Sequence, residues 1–182
     1  MSAAVARCVR SAFDRRGINA EVIPVELDGK PTPSVQHRFP SSDASTTFIE
    51  VDDRTTSADV ARVIESSTTS VMCLVPRQSL DLAWTQPLID LVVQPDVGAV
   101  GPRILAPDGS LLSMGRDVAP VLQDPFRGHP GSATGPWAAF VVTREVSALA
   151  PVGLVLDREA VLSVGGLASD IGLDAAVAVL CA

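Results

Sequence analysis

Apolar positions along the chain recur with two different periods, and each period predicts a different element. Steps of three and four predict helices over residues 3–16, 58–66, 79–93, 158–164 and 174–181. Short apolar or alternating runs predict strands over residues 21–27, 47–51, 70–75, 97–105 and, with breaks, 140–156. Strands that alternate with helices indicate an α/β fold with a mainly parallel sheet flanked by helices.

The segment SVMCLV, residues 70–75, is apolar at nearly every position. This pattern is typical of a strand that is buried on both faces in a helix-covered parallel sheet. A small hairpin is predicted around Asp108-Gly109, because Asp-Gly between apolar runs favours a tight turn. Ligands of such sheets lie at the carboxyl ends of the strands, which here carry Asp28, Asp52 and Arg77.

Prolines mark the places where the pattern changes. Residues 30–46 contain three prolines among several Ser and Thr, which predicts one long loop. Pro24 lies inside the first predicted strand and favours an edge position, since proline cannot donate to a ladder. Pro87 should kink the 79–93 helix or mark its restart.

The composition of the 182 residues excludes several classes of protein. Apolar residues are 47% and charged residues 19%, which argues against intrinsic disorder. The formal net charge of −7 disfavours nucleic acid and anionic membrane as partners. No apolar run approaches the length of a transmembrane segment, and Arg7 and Arg10 interrupt any signal-peptide block. A cytoplasmic location is therefore expected.

Few residues offer chemistry through a recognisable motif. Three widely spaced cysteines argue against a disulfide framework and a zinc ribbon. No Walker loop, GxGxxG, HExxH or GxSxG is present. His37 and His129 lie apart in proline-containing segments, so a Ser-His-Asp site has little support.

The strongest signal is a set of blocks in a fixed order. WTQPLIDLVVQPDVGAVGPRILAPDGSLLSMG starts at Trp84, and REVSALAPVGLVLDREAVLSVGG follows after a loop. These blocks resemble the family 2 glycosyltransferases of the GT-A fold, which transfer sugar from a nucleotide-diphosphate sugar. The resemblance runs from about Ser70 to Asp174 and implies a single GT-A-like domain over residues 1–182.

The chain also departs from that family. The resemblance implies an opening strand before Ala3, which is absent from this sequence. The family's Asp-x-Asp motif, which holds Mg²⁺ or Mn²⁺, falls on Val75-Pro76-Arg77, which supply no carboxylate. The base motif falls on Leu173-Asp174, so one acidic residue of that pair remains. No metal or other cofactor is therefore expected.

Two hypotheses follow. In the first, Arg77 replaces the metal by pairing with the diphosphate, and Asp174 acts as the catalytic base. In the second, the catalytic motifs are degenerate and the domain is a non-catalytic scaffold or interaction module. That module could form a homodimer or bind a partner, and the chain could equally be a piece of a longer enzyme.

Four further residues have expected roles; those of Glu26 and Asp28 are implied by the resemblance, and those of Arg103 and Trp137 by their positions at a strand end and in a loop. Glu26 and Asp28 would hold the nucleoside of a nucleotide sugar, and Arg103 would contact phosphate. Trp137 would stack on a sugar at the acceptor side. Each has a structural alternative: Asp28 in a turn, Arg103 in an ion pair, and Asp52-Asp53 as a helix cap or solvated pair.

Overall fold

The structure, a computed structural model, describes residues 20–27, 30–38, 45–77, 82–119 and 121–181, with side chains from residue 46 onward. Its strands are β1 (Ala20–Leu27), β2 (Lys30–Arg38), β3 (Ser45–Val51), β4 (Val71–Pro76), β5 (Ala99–Val100), β6 (Ile104–Leu105), β7 (Leu111–Ser113) and β8 (Val155–Asp157). Its α-helices are α1 (Ser57–Ser66), α2 (Gln86–Val92), α3 (Arg158–Ser163) and α4 (Leu173–Cys181). Short 3₁₀ turns cover Ala83–Thr85 and Pro136–Ala138. The α/β class predicted from the sequence is confirmed.

Strand β4 lies in the middle of the core, as its apolar pattern predicts. Met72 and Leu74 pack in one apolar cluster with residues of α1, α3 and α4. The alternate residues Val71, Cys73 and Val75 pack on the other face with residues of α2. Because successive side chains of a strand point to opposite faces, an all-apolar strand fits only between two helical layers.

The sheet is mixed, so the prediction of a mainly parallel sheet is wrong. Six strands lie in the order β1-β2-β3-β4-β8-β5. Within the described part of the chain, β3 and β4 form the parallel pair, and the other four neighbouring pairs are antiparallel. Leu27 lies opposite Lys30, so the two strands β1 and β2 follow each other too closely for a crossover.

Residues 30–38 form strand β2, so the prediction of a loop over 30–46 is wrong there; residues 39–44 lie outside the described residues. Pro31 and Pro33 pair with β1, but the pairing with β3 begins only at Ser34. The prolines therefore avoid the stretch where their missing N–H would interrupt the inner ladder. Pro24 lies in β1 at the edge of the sheet, as expected.

The start of α1 is fixed by a capping box one residue earlier than predicted. Thr56 is the N-cap, and its hydroxyl accepts from the Asp59 N–H at 3.2 Å. The Asp59 carboxylate accepts in return from the Thr56 N–H at 3.1 Å. Ser57, the predicted cap, donates its hydroxyl to the Ile171 carbonyl instead. The predicted helix over 3–16 and the Asp28-Gly29 turn lie outside the described residues.

Three of the long elements predicted from the sequence are shorter in the structure, because turn residues interrupt them. The described part of the 79–93 helix begins as a 3₁₀ turn and restarts as α2, with Pro87 in its first turn. The 97–105 strand is divided into β5 and β6, which belong to different sheets. Of residues 140–156, only the last two enter β8; just before this strand, the Gly153 N–H donates to the Leu74 carbonyl at 2.8 Å. Gly153 has φ +79°, and a Cβ there would lie 2.6 Å from Pro102 Cγ.

The predicted hairpin at Asp108-Gly109 is confirmed as the antiparallel pair β6–β7. The Gly109 N–H donates to the Ala106 carbonyl at 2.9 Å and closes the turn. In the part of the chain that the structure describes, no helix is long and apolar enough to cross a membrane.

Candidate functional site

The carboxyl ends of the parallel strands β3 and β4 meet at one rim of the sheet. Val51 lies opposite Pro76, so Asp52 and Arg77, the next residue of each strand's chain, lie side by side where the two strands end. The Arg77 N–H donates to the Val51 carbonyl at 3.2 Å, which continues the pairing by one residue. Val75-Pro76-Arg77, where the resemblance places the metal motif, therefore lies at the carboxyl ends of these strands, the rim at which open α/β sheets commonly bind ligands.

At this rim the guanidinium of Arg77 donates to the Asp52 carboxylate at 2.5 Å. The Arg77 side chain is 49% exposed and that of Asp52 is 22% exposed. The other oxygen of Asp52 accepts from the Arg54 N–H and the Thr55 hydroxyl, both at 3.0 Å. The Arg77 bond, followed by these local hydrogen bonds, lowers the pKa of Asp52.

Glu50 lies in β3, two residues before Asp52. Burial raises the pKa of Glu50, and the charge of Arg77 opposes this effect in part. Its Oε2 atom is buried and has no hydrogen-bond partner among the described residues. The rim therefore combines one satisfied carboxylate with one that is poorly solvated.

These residues do not fit the divalent cation that the resemblance implies. Val75 is buried and apolar, and Arg77 brings a positive charge to the position of the second aspartate. The oxygens of Asp52 are already used by Arg77, Arg54 and Thr55. Among the described residues, no group of three or more His, Cys, Asp or Glu side chains could hold a metal ion. Mg²⁺ and Mn²⁺ require several hard oxygen ligands, which this rim does not supply.

Asp174, the predicted base, belongs to a different ion pair. It lies in the first turn of α4 and accepts from Arg116 at 2.6 Å. Arg116 is 14% exposed and also donates to Asp124, whose side chain is 9% exposed, at 3.2 Å. Arg116 thus ties α4 to the segment around Asp124, whereas Arg77 pairs with Asp52.

Arg103 and Trp137 have separate surroundings. Arg103 donates to the carbonyls of Gly131 and Phe140, at 3.1 and 3.0 Å, which holds two loops together. Trp137 is fully exposed, with φ +54°, and Ala138 follows with φ +59°. Glu26 lies in β1 opposite Pro31, and Asp28 lies outside the described residues.

A cleft of about 1150 Å³ runs along β5, and a smaller cavity of about 390 Å³ lies beside it. Arg103 lines the larger one, Arg116 the smaller one, and Arg144 both. Among the predicted site residues whose side chains the structure describes, Arg103 therefore lines one of these cavities, whereas Arg77, Asp174 and Trp137 line neither.

Sequence reasoning missed Arg144, Arg116 and the role of Asp52 as the partner of Arg77. The Asp52–Arg77 pair had a detectable signal, because consecutive parallel strands end on the same side of a sheet. The sequence carries no such signal for Arg116 and Arg144, since both lie in irregular segments whose spatial neighbours are distant in sequence. Comparisons with protein-family models, with curated proteins and with solved structures give no match.

Proposed function

We propose that the chain is a degenerate relative of the family 2 glycosyltransferases that serves as a non-catalytic binding module. The observation that carries this proposal is the Asp52–Arg77 ion pair at the rim. A metal-dependent transferase needs carboxylates at that place, free to hold a cation that bridges to the diphosphate. Here one carboxylate and one guanidinium neutralise each other instead.

The ion pair also weighs against a metal-free transferase. Arg77 would have to leave Asp52 to bind a diphosphate, and Asp52 would then face two phosphate charges without a cation. Glu50, two residues before Asp52, would add to this repulsion when it is ionised. Two features favour a transferase: the resemblance of the sequence blocks, and the guanidinium of Arg77, which is half exposed at the rim.

The position of Asp174 also supports a non-catalytic module. A catalytic base must reach the acceptor hydroxyl, within about 3 Å or through one water. Asp174 is instead engaged by the guanidinium of Arg116, which donates to its carboxylate at 2.6 Å. We therefore propose that Asp174 has a structural role in the ion pair that connects α4 to the rest of the domain.

Calorimetry with UDP and GDP tests the proposal, each with Mn²⁺ and with EDTA. We expect no saturable heat from the wild-type chain under either condition. Asp52→Asn leaves Arg77 without its carboxylate, so this variant should acquire weak binding that EDTA does not remove. Asp53→Asn is the matched control, because Asp53 is exposed and lies next to Asp52; it should behave as wild type.

Two outcomes would contradict the proposal. Binding of a nucleotide by the wild type in EDTA would favour Arg77 as the replacement for a metal. Binding that requires Mn²⁺ would mean that carboxylates outside the described rim hold a cation. Light scattering on the same samples measures whether the module is a homodimer.

A further inference from the structure

The 1150 Å³ cleft is lined mainly by apolar side chains along most of its length. It lies between β5, helices α2 and α3, the end of α4 and residues 140–146. Several large apolar side chains on its walls remain in solvent: Val141 is 60% exposed, Val142 52% and Val164 67%. Apolar surface that remains exposed in a concave site is typical of a ligand-binding groove.

One end of this cleft carries two guanidinium groups, those of Arg103 and Arg144, which have no carboxylate partner among the described residues. Arg103 donates to two backbone carbonyls. Arg144 donates to the Met114 carbonyl at 3.3 Å and lies over the Phe126 ring, 5.4 Å from its centroid. Neither forms an ion pair with a carboxylate of the described residues. A guanidinium has five N–H donors, so both retain free donors for an anion.

Two carboxylates also line the cleft, and their positions give it a polarity. Asp96 precedes β5, whereas Arg103 follows it, so these opposite charges lie at opposite ends of the strand. Glu145 follows Arg144 directly and reduces the net charge at the cationic end without pairing with it. Two guanidinium groups against one carboxylate leave that end positive, in a chain whose formal net charge is −7.

We propose that this cleft binds a single-chain amphipathic anion. Its phosphate or carboxylate head would contact Arg103 and Arg144, and its alkyl tail would cover the apolar walls toward Val97 and Val164. A guanidinium matches both head groups in shape and charge, which fixes the orientation of the ligand. This site is separate from the Asp52–Arg77 rim. The proposal therefore goes beyond the function proposed above and holds whether or not that function is correct.

Calorimetry on the wild-type chain tests the binding, with each probe below its critical micelle concentration. Dodecyl phosphate and dodecanoate should bind saturably, and at least tenfold more tightly than neutral dodecanol. Each pair of methylenes removed from the tail should weaken binding up to about tenfold. Inorganic phosphate alone should not bind measurably, which separates a lipid head group from a free phosphate.

Variants at exposed positions locate the site without disturbing the fold. Arg144→Gln should weaken dodecyl phosphate binding about tenfold or more, and Val142→Glu should abolish it. Glu145→Gln should tighten binding several-fold, an effect that a purely structural role of this residue would not produce. Arg54→Gln is the matched control, since Arg54 is exposed and lies outside the cleft.

The proposal is overturned if dodecanol binds as tightly as dodecyl phosphate, or if inorganic phosphate does. It is also overturned if Arg144→Gln and Val142→Glu, both folded by circular dichroism, bind as wild type. Absence of saturable heat with both anionic probes leads to the same conclusion.

Discussion

Arg77 and Asp52 are 25 residues apart in sequence and joined by a 2.5 Å hydrogen bond across the ends of β4 and β3. The bond exists because α1 returns the chain to a strand parallel to β3, and both strands end at the same rim. Two residues that differ in charge therefore meet where a ligand of the sheet would lie.

Breaking this pair should lower stability only slightly. We expect Arg77→Gln and Asp52→Asn each to reduce the free energy of unfolding by roughly 0.5–1 kcal/mol, because the guanidinium is half exposed and solvent screens it. The pKa of Asp52 is lowered in the folded state, so its contribution is present above the unfolded pKa. It is lost as the pH falls through the folded pKa. Urea unfolding at pH 7 and pH 3 measures this difference; an equal loss at both pH values would contradict it.

Glu50 should have the opposite pH dependence. Burial raises its pKa in the folded state, so the contribution of this group is present below the unfolded pKa and is lost as the pH rises through the folded pKa. Glu50→Gln removes the poorly solvated charge and should stabilise the chain at pH 7 by no more than about 1 kcal/mol. At pH 4 the gain should shrink. Glu65→Gln, at an exposed position, is the control in urea unfolding, and a loss of stability at pH 7 would disprove the prediction.

Arg116 should matter far more for stability than its partner Asp174. Arg116→Ala leaves Asp124, which is 9% exposed, with only the longer 3.9 Å contact to Arg127. We expect a loss of about 3 kcal/mol, the lower end of the typical cost of removing one partner of a buried pair, because Arg127 still contacts Asp124. Asp174→Asn should cost less than about 1 kcal/mol because Asp174 is 59% exposed. Thermal unfolding of both variants measures the two losses of stability. A larger loss from Asp174→Asn than from Arg116→Ala would contradict the prediction.

Trp137 should be replaceable by glycine with a gain in stability. Its backbone has φ +54° and its side chain has no burial to lose. Glycine adopts this left-handed conformation without the steric cost of a Cβ. The free energy of unfolding of Trp137→Gly should therefore exceed that of Trp137→Ala by roughly 1 kcal/mol. The two variants are compared by chemical denaturation. Equal stabilities would show that the backbone relaxes in solution.

The elements predicted best are those whose signal is local. Helix α1 and strand β4 follow from the spacing of apolar residues, and Asp108-Gly109 specifies its own turn. Strand β2 was missed because its prolines resemble those of a loop. Pro31 and Pro33 are compatible with a strand only because β3 does not pair with that stretch, a fact of the tertiary structure.

The candidate site was predictable in location but not in detail. The end of β4 predicts that Arg77 lies at the rim formed by the carboxyl ends of the parallel strands, and the structure places it there. The contacts of Arg103 and Arg116 depend on residues between 8 and 58 positions away, across loops without periodicity. Such contacts leave no repeating pattern in the sequence.

The two edge strands of the six-stranded sheet are poor templates for pairing with a strand of another molecule. In the part of the chain that the structure describes, one end is β1, with Pro24 in its middle, and the other is β5, only two residues long. Proline cannot donate a hydrogen bond to an incoming strand, and two residues offer too short a template. Continuous growth of the sheet from one molecule to the next through these two edges is therefore disfavoured.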